Sequence, residues 1–185
     1  MVMNRILSKL QGIDIRTLIF IFPYVACLHE FEEWNILKWH RTNQTNVPPD
    51  ITNLDLRTIF LLINLVIIIW TVVALWPKNK KVTAYIFFPL MAISLINAFE
   101  HLIWLIHFGV YPPGFIFGFI FEAPLILYIA YRMLKEKLIA KWFAGIFLLI
   151  VLAGIVNLML SGTEIDPAIV NIMKLSRPIS DFIWK

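Results

Sequence analysis

The sequence predicts an all-α polytopic membrane protein: a bundle of five transmembrane helices and a short surface helix at the C-terminus, forming a single transmembrane domain over residues 1–185. Three observations predict it. Hydrophobic residues make up 60% of the chain and charged residues only 15%, against roughly 45–50% and 25% in soluble domains. The apolar residues fall into five runs close to the ~20 residues that cross a bilayer. Most of the 16 Lys and Arg residues fall outside those runs. A chain this short cannot enclose so much apolar side chain in a water-soluble core. The 15 Phe and 7 Trp suit aromatic anchoring at the membrane interfaces. A single cysteine, Cys27, leaves no internal disulfide and no cysteine-based zinc site. The net charge of +4 reads as an orientation signal and not as nucleic-acid binding. No secretory signal pattern, internal repeat or low-complexity tract interrupts the chain.

The elements follow in order. Met1 to Gly12, with Arg5, Lys9 and apolar Ile6, Leu7 and Leu10, suits a segment lying on the membrane surface. The first helix is expected over about 15–39, kinked at Pro23 because proline lacks an N–H and clashes with the preceding turn. Residues 40–55 form a polar loop with the Pro48-Pro49 pair. The second helix, about 56–76, is almost entirely Leu, Ile and Val, with Asn64 and Thr71 on one face. A basic turn at Lys78, Lys80 and Lys81 leads to the third helix, about 82–108. Tyr111-Pro112-Pro113-Gly114 makes an uncharged turn before the fourth helix, about 115–132. A second basic turn, to Lys141, precedes the fifth helix, about 142–160. The tail, 161–185, is too polar to span, and its Ile169, Ile172 and Met173 suggest the surface helix.

With five crossings, ten Lys and Arg lie on the side of the N-terminus and six on the other. The positive-inside rule then places the protein as a multi-pass chain in the plasma membrane, with the N-terminus cytoplasmic and the C-terminus outside.

The chemistry starts in the stretch Leu28-His29-Glu30-Phe31-Glu32-Glu33-Trp34. Three carboxylates and an imidazole inside an apolar, membrane-length run cost several kcal/mol unless paired, protonated or bound to a metal. His29, Glu32 and Glu33 fall within about 100° on a helix, with Glu30 at the margin of that arc. On the third helix Ser94, Asn97, Glu100 and His101 share a face by i, i+3, i+4 and i+7 spacing. At about 1.5 Å per residue, His29 to Glu33 lies some 18–26 Å above the cytoplasmic end of its helix, and Asn97 to His101 some 20–27 Å. Glu122 on the fourth helix lies about 12–15 Å below the outer surface, so all three groups sit between the midplane and the outer leaflet.

The expected site therefore holds His29, Glu32, Glu33, Asn97, Glu100, His101 and Glu122. Imidazole with carboxylate suits zinc, iron or manganese, in a mononuclear or a dinuclear centre. His29, Glu32, Glu33, Glu100, His101 and Glu122 are the ligand set to choose from. Glu33 or Glu122 would move protons, and Asn97 would orient His101 or the substrate. Bland roles compete. Glu100 equally suits a hydrogen bond to a neighbouring helix, Glu30 a place beside the site or at the lipid interface, His40 and His107 the interface, Cys27 apolar packing, and Asn64 and Asn157 contacts between helices.

Three motifs carry a family resemblance. His29-Glu30-Phe31-Glu32-Glu33 resembles the signature of the HXXEE family of small bacterial integral membrane proteins, Asn97-Ala98-Phe99-Glu100-His101 its second motif, and Tyr111-Pro112-Pro113-Gly114 its Tyr-x-Pro-Gly turn. Together they cover roughly residues 17–160. The resemblance implies a compact multi-helix membrane domain with a shared polar site and implies no activity.

The residues themselves lead to an intramembrane metal-dependent enzyme that hydrolyses or oxidises a lipidic or otherwise apolar substrate, which reaches a site at this depth from the bilayer. The alternative is a proton- or cation-coupled binding or transport protein. The lipid bilayer and an apolar small molecule are the expected partners, with room for a homo-oligomer.

Overall fold

A computed structural model describes residues 12–161 and 167–184. The basic segment expected at the N-terminus lies outside the described residues, as do Arg5, Lys9 and Lys185. The fold is all-α, with no strand among the described residues. Helix α1 spans Ile15–Glu32, α2 Leu37–Asn43, α3 Asn53–Leu75 and α4 Lys80–Phe108. A π-helix, π1, spans Phe115–Glu122 and runs directly into α5, Ala123–Lys135. Helix α6 spans Lys141–Ser161 and α7 Pro167–Trp184.

Local sequence explains the starts and stops. Asp14, Thr52 and Asn79 cap α1, α3 and α4, Thr52 in a reciprocal capping box with Asp55. Gly109 ends α4 in the left-handed conformation, at φ +64°, which glycine adopts without a Cβ penalty.

Among the described residues four helices, not five, are long and apolar enough to cross a membrane: α3, α4, the continuous π1–α5 unit and α6 over Lys141–Leu160. The expected first span, 15–39, is broken. Helix α1 stops at Glu32, the chain turns at 33–36, and α2 is a separate short helix. The physical reason is charge. Arg16, Glu30 and Glu32 all fall within the 18 residues of α1. Arg16 is drawn to the carbonyls of Leu75 and Pro77 at one end of the bundle, and Glu32 to the start of π1 at the other. The surface helix is present as α7, which packs on α3. Its Met173 is buried among Ile36, Trp39, Ile59 and Trp104, and the Trp184 indole donates to Thr58 Oγ1 at 2.9 Å.

The bundle has two apolar clusters with a polar layer between them. Toward the basic turns, Ile19, Phe22, Phe87, Met91, Ile129 and Met133 form one core. Toward α7, Ile36, Trp39, Phe60 and Trp104 form the other. Along α1 and α2 the order is first core, His29 and Glu33, then second core; along α4 it is first core, His101, then second core. Contacts tie the ends. Lys80 pairs with Asp14 at 2.5 Å, and Arg132 donates to Ile13 O at 3.0 Å, gathering both basic turns at one end. At the other end Arg57 donates to Asn35 and Arg177 pairs with Asp50. Large exposed apolar side chains, among them Phe20 and Phe31 of α1, Val66 and Val72 of α3, and Leu149 and Leu160 of α6, cover the flanks. Four apolar helices with such flanks are compatible with a multi-pass membrane protein.

Candidate metal centre

His29 and Glu33 are four residues apart, so the last turn of α1 and the residue that caps it bring them to one face. His101 comes from α4 across the bundle. Their donor atoms converge: the two Nε2 atoms are 2.9 Å apart, and Oε1 of Glu33 lies 2.7 Å from Nε2 of His101 and 3.2 Å from Nε2 of His29. All three residues are buried, His101 completely. Among the described residues this is the one group of three or more His, Cys, Asp or Glu whose ligand atoms lie within 4.8 Å of one another.

Glu122, also buried, stands behind the first histidine. Its Oε2 lies 2.6 Å from Nδ1 of His29. A carboxylate on the far ring nitrogen holds the proton there and turns the Nε2 lone pair toward the other donors. Two imidazole lone pairs and a carboxylate oxygen aimed at one another repel unless a proton or a cation lies between them. Around a tetrahedral zinc, ligand atoms at about 2.0–2.1 Å stand about 3.3–3.4 Å apart, so each observed separation opens by under about 1 Å to accept an ion. The three donors therefore fit a divalent metal. Within the site, the buried Nδ1 of His101 has no hydrogen-bond partner, and Trp104 stacks edge-on to that ring at 5.1 Å.

The lid of the site is backbone. A Cβ on Gly114, which sits at φ +91°, would lie 2.5 Å from Oε1 of Glu33 and 2.8 Å from Nε2 of His101. A Cβ on Gly118 would lie 2.8 Å and 2.9 Å from Cε1 and Nε2 of His29. Only glycine at these positions lets π1 close over the imidazoles. The π turn itself has a local cause. Pro124, at the start of α5, has no N–H for the preceding turn, and a wider register upstream absorbs the mismatch.

The remaining expected residues are elsewhere. Glu32 points to the N-terminus of π1, where it accepts from the amides of Phe117 at 2.9 Å and Ile116 at 3.3 Å and from the Tyr111 hydroxyl. Burial and then this carboxylate push the Tyr111 phenol up to about 12. Glu30 is buried beside the site; Asn97 and Glu100, half-buried on α4, fall outside the converging group. His40 is buried, with Nδ1 2.6 Å from Gln44 Oε1 and its ring against Trp104. Reasoning from spacing missed Gly114 and Gly118. The available signal was their four-residue separation in an otherwise bulky stretch, which marks close backbone approach on a helix.

A family model described as a protein of unknown function with HXXEE motif matches residues 20–129. Neither curated proteins nor solved structures match this chain.

Proposed function

The chain belongs to the HXXEE family, and we propose that it is a membrane-embedded metal-dependent enzyme acting on a lipidic or otherwise apolar substrate. His29, Glu33 and His101 hold one divalent ion, and Glu122 orients His29. The single observation that carries this reading is the convergence of three buried donor atoms from three residues, with a carboxylate fixing the tautomer of one. Three protein donors, where structural zinc sites have four, leave a position open for substrate or water. Two histidines with one carboxylate suit non-haem iron(II) as well as zinc, so the donor set serves oxidation or hydrolysis. The ion supplies Lewis acidity at that open position. The residues do the rest: Glu122 keeps the proton at Nδ1 of His29, the two apolar clusters exclude bulk water, and Gly114 and Gly118 admit the backbone that roofs the site. An apolar substrate follows from the setting, since a site walled by Phe, Trp and Ile among lipid-facing helices is entered from the bilayer. By the positive-inside rule the basic end faces the cytoplasm of a cell whose plasma membrane the protein spans, which puts the start of α1 inside and α7 outside.

A second reading rests on the unbroken chain of short contacts from Glu122 through His29 to His101 and Glu33, at 2.6, 2.9 and 2.7 Å. The same chain passes protons in a cation- or proton-coupled transporter. Elemental analysis of the purified, untagged protein separates the two. The enzyme reading expects about one zinc, iron or manganese per chain, lost in His29→Ala and in His101→Ala. Protein that carries no metal after purification and does not take up added zinc or iron(II) would overturn it in favour of the transporter.

A further inference from the structure

A second feature lies away from the metal centre. Helix α6 packs chiefly on α4, where Gly154 receives Ile96 and the Phe143 and Phe147 rings meet Phe88. It does not close against α5. The gap is an open groove of about 430 Å³, floored by α4 and walled by α5 and α6. That volume is within the roughly 300–1,000 Å³ of small-molecule sites. The lining is apolar and includes Met91, Leu95, Ile126, Ala130 and Leu148, with one exception, Lys141, at the first residue of α6. From Leu134 to Ile126 on α5 the groove runs about 12 Å along the helix axis, the direction a lipid tail takes.

We propose that this groove binds one acyl chain of an anionic phospholipid, with Lys141 on its phosphate. Charge complementarity selects the occupant. Lys141 opens onto the basic turn carrying Lys135 and Lys137, whereas the one acidic residue of that turn, Glu136, is taken by Arg132 at 2.6 Å. A basic residue at the headgroup end of a groove between membrane helices is the arrangement that holds anionic headgroups. Small side chains, Ala92, Ala130, Ala144 and Gly145, make the room. The site is independent of the metal centre: none of the metal donors lines it.

Two substitutions test its two halves. Lys141→Gln removes the charge and leaves the groove. Gly145→Phe fills the groove, and nothing lies within 4 Å of a Cβ built there, so the ring enters without displacing the backbone. The full chain is exchanged into mixed phosphatidylglycerol and phosphatidylcholine vesicles, extracted, and its retained lipid counted by native mass spectrometry, with circular dichroism melting as the control for folding. The wild type is expected to retain phosphatidylglycerol in preference to phosphatidylcholine. Lys141→Gln should reduce that preference by about fivefold, the effect of one basic residue near an anionic surface. Gly145→Phe should reduce retention of both lipids. Inorganic phosphate added alone should not displace the bound lipid. Unchanged preference in Lys141→Gln, unchanged retention in a folded Gly145→Phe, or full displacement by phosphate would each overturn the proposal.

Discussion

At the scale of single residues, His29 is held from both sides. Glu122 fixes its Nδ1, and the missing side chain of Gly118 leaves room for its ring. Glu122→Gln keeps the shape but weakens the carboxylate that orients the ligand, so metal affinity is expected to fall about 10–100-fold, read by chelator competition. Gly118→Ala places a methyl where the ring stands and should release the metal while the helices remain, visible as unchanged circular dichroism with reduced metal content. Equal affinity in both variants would remove Glu122 and Gly118 from the account. The pairing of His29 with Glu33 was legible in the sequence because i, i+4 spacing on a helix allows one answer. Glu32 was not, because the helix ends there. At i+3 from His29 it shares the ideal face, but the unsatisfied amides of π1 capture its carboxylate. Glu100 shared a predicted face with His101, but only His101 is fully buried with its Nε2 among the converging donors.

At the scale of elements, π1 depends on the clamp between Glu32 and Tyr111. Tyr111→Phe removes one donor to a charged acceptor, a change expected to cost about 1.5–3 kcal/mol before discounting for the roughly half-exposed ring. The pH dependence has a defined sign. Tyr111 is a weaker acid in the folded protein than in the unfolded chain, so its neutral form contributes stability that is fully present below pH about 10. That contribution is lost as the pH rises through about 12. Ultraviolet titration should show a late-ionising tyrosine signal that is lost in Tyr111→Phe; a titration unchanged by the substitution would rule the clamp out. The existence of the long helices was legible from apolar runs and the turns between them. The π register was not, since hydrophobic periodicity does not distinguish eight π-helical residues from two turns of α-helix. The break after Glu32 was hidden for a related reason: Trp34, Ile36, Leu37 and Trp39 continue the apolar run, but they pack into the second core instead of lengthening a span.

At the scale of the molecule, two apolar cores enclose a polar layer, and the rise along each helix made the common level of His29, His101 and Glu122 legible before any contact was known. That α1 falls short of the described helices apolar enough to span was not, because hydrophobicity outweighed its charges in the reading of its length. The two ends differ in charge, and the basic end should face the cytoplasm. In a Cys27→Ser background, single cysteines replacing Lys78 and Lys137 should be shielded from a membrane-impermeant maleimide added to intact cells, whereas a cysteine replacing Asp50 should react. The reverse pattern would invert the orientation.

The central claim is that His29, Glu33 and His101 share one divalent ion. X-ray absorption spectroscopy at the edge of the metal bound to untagged protein addresses it directly. The expected spectrum contains two imidazole nitrogens and a carboxylate oxygen at about 2.0–2.2 Å, and that shell is lost with the ion in His101→Ala. A metal shell without imidazole, or one that His29→Ala and His101→Ala leave unchanged, would contradict it.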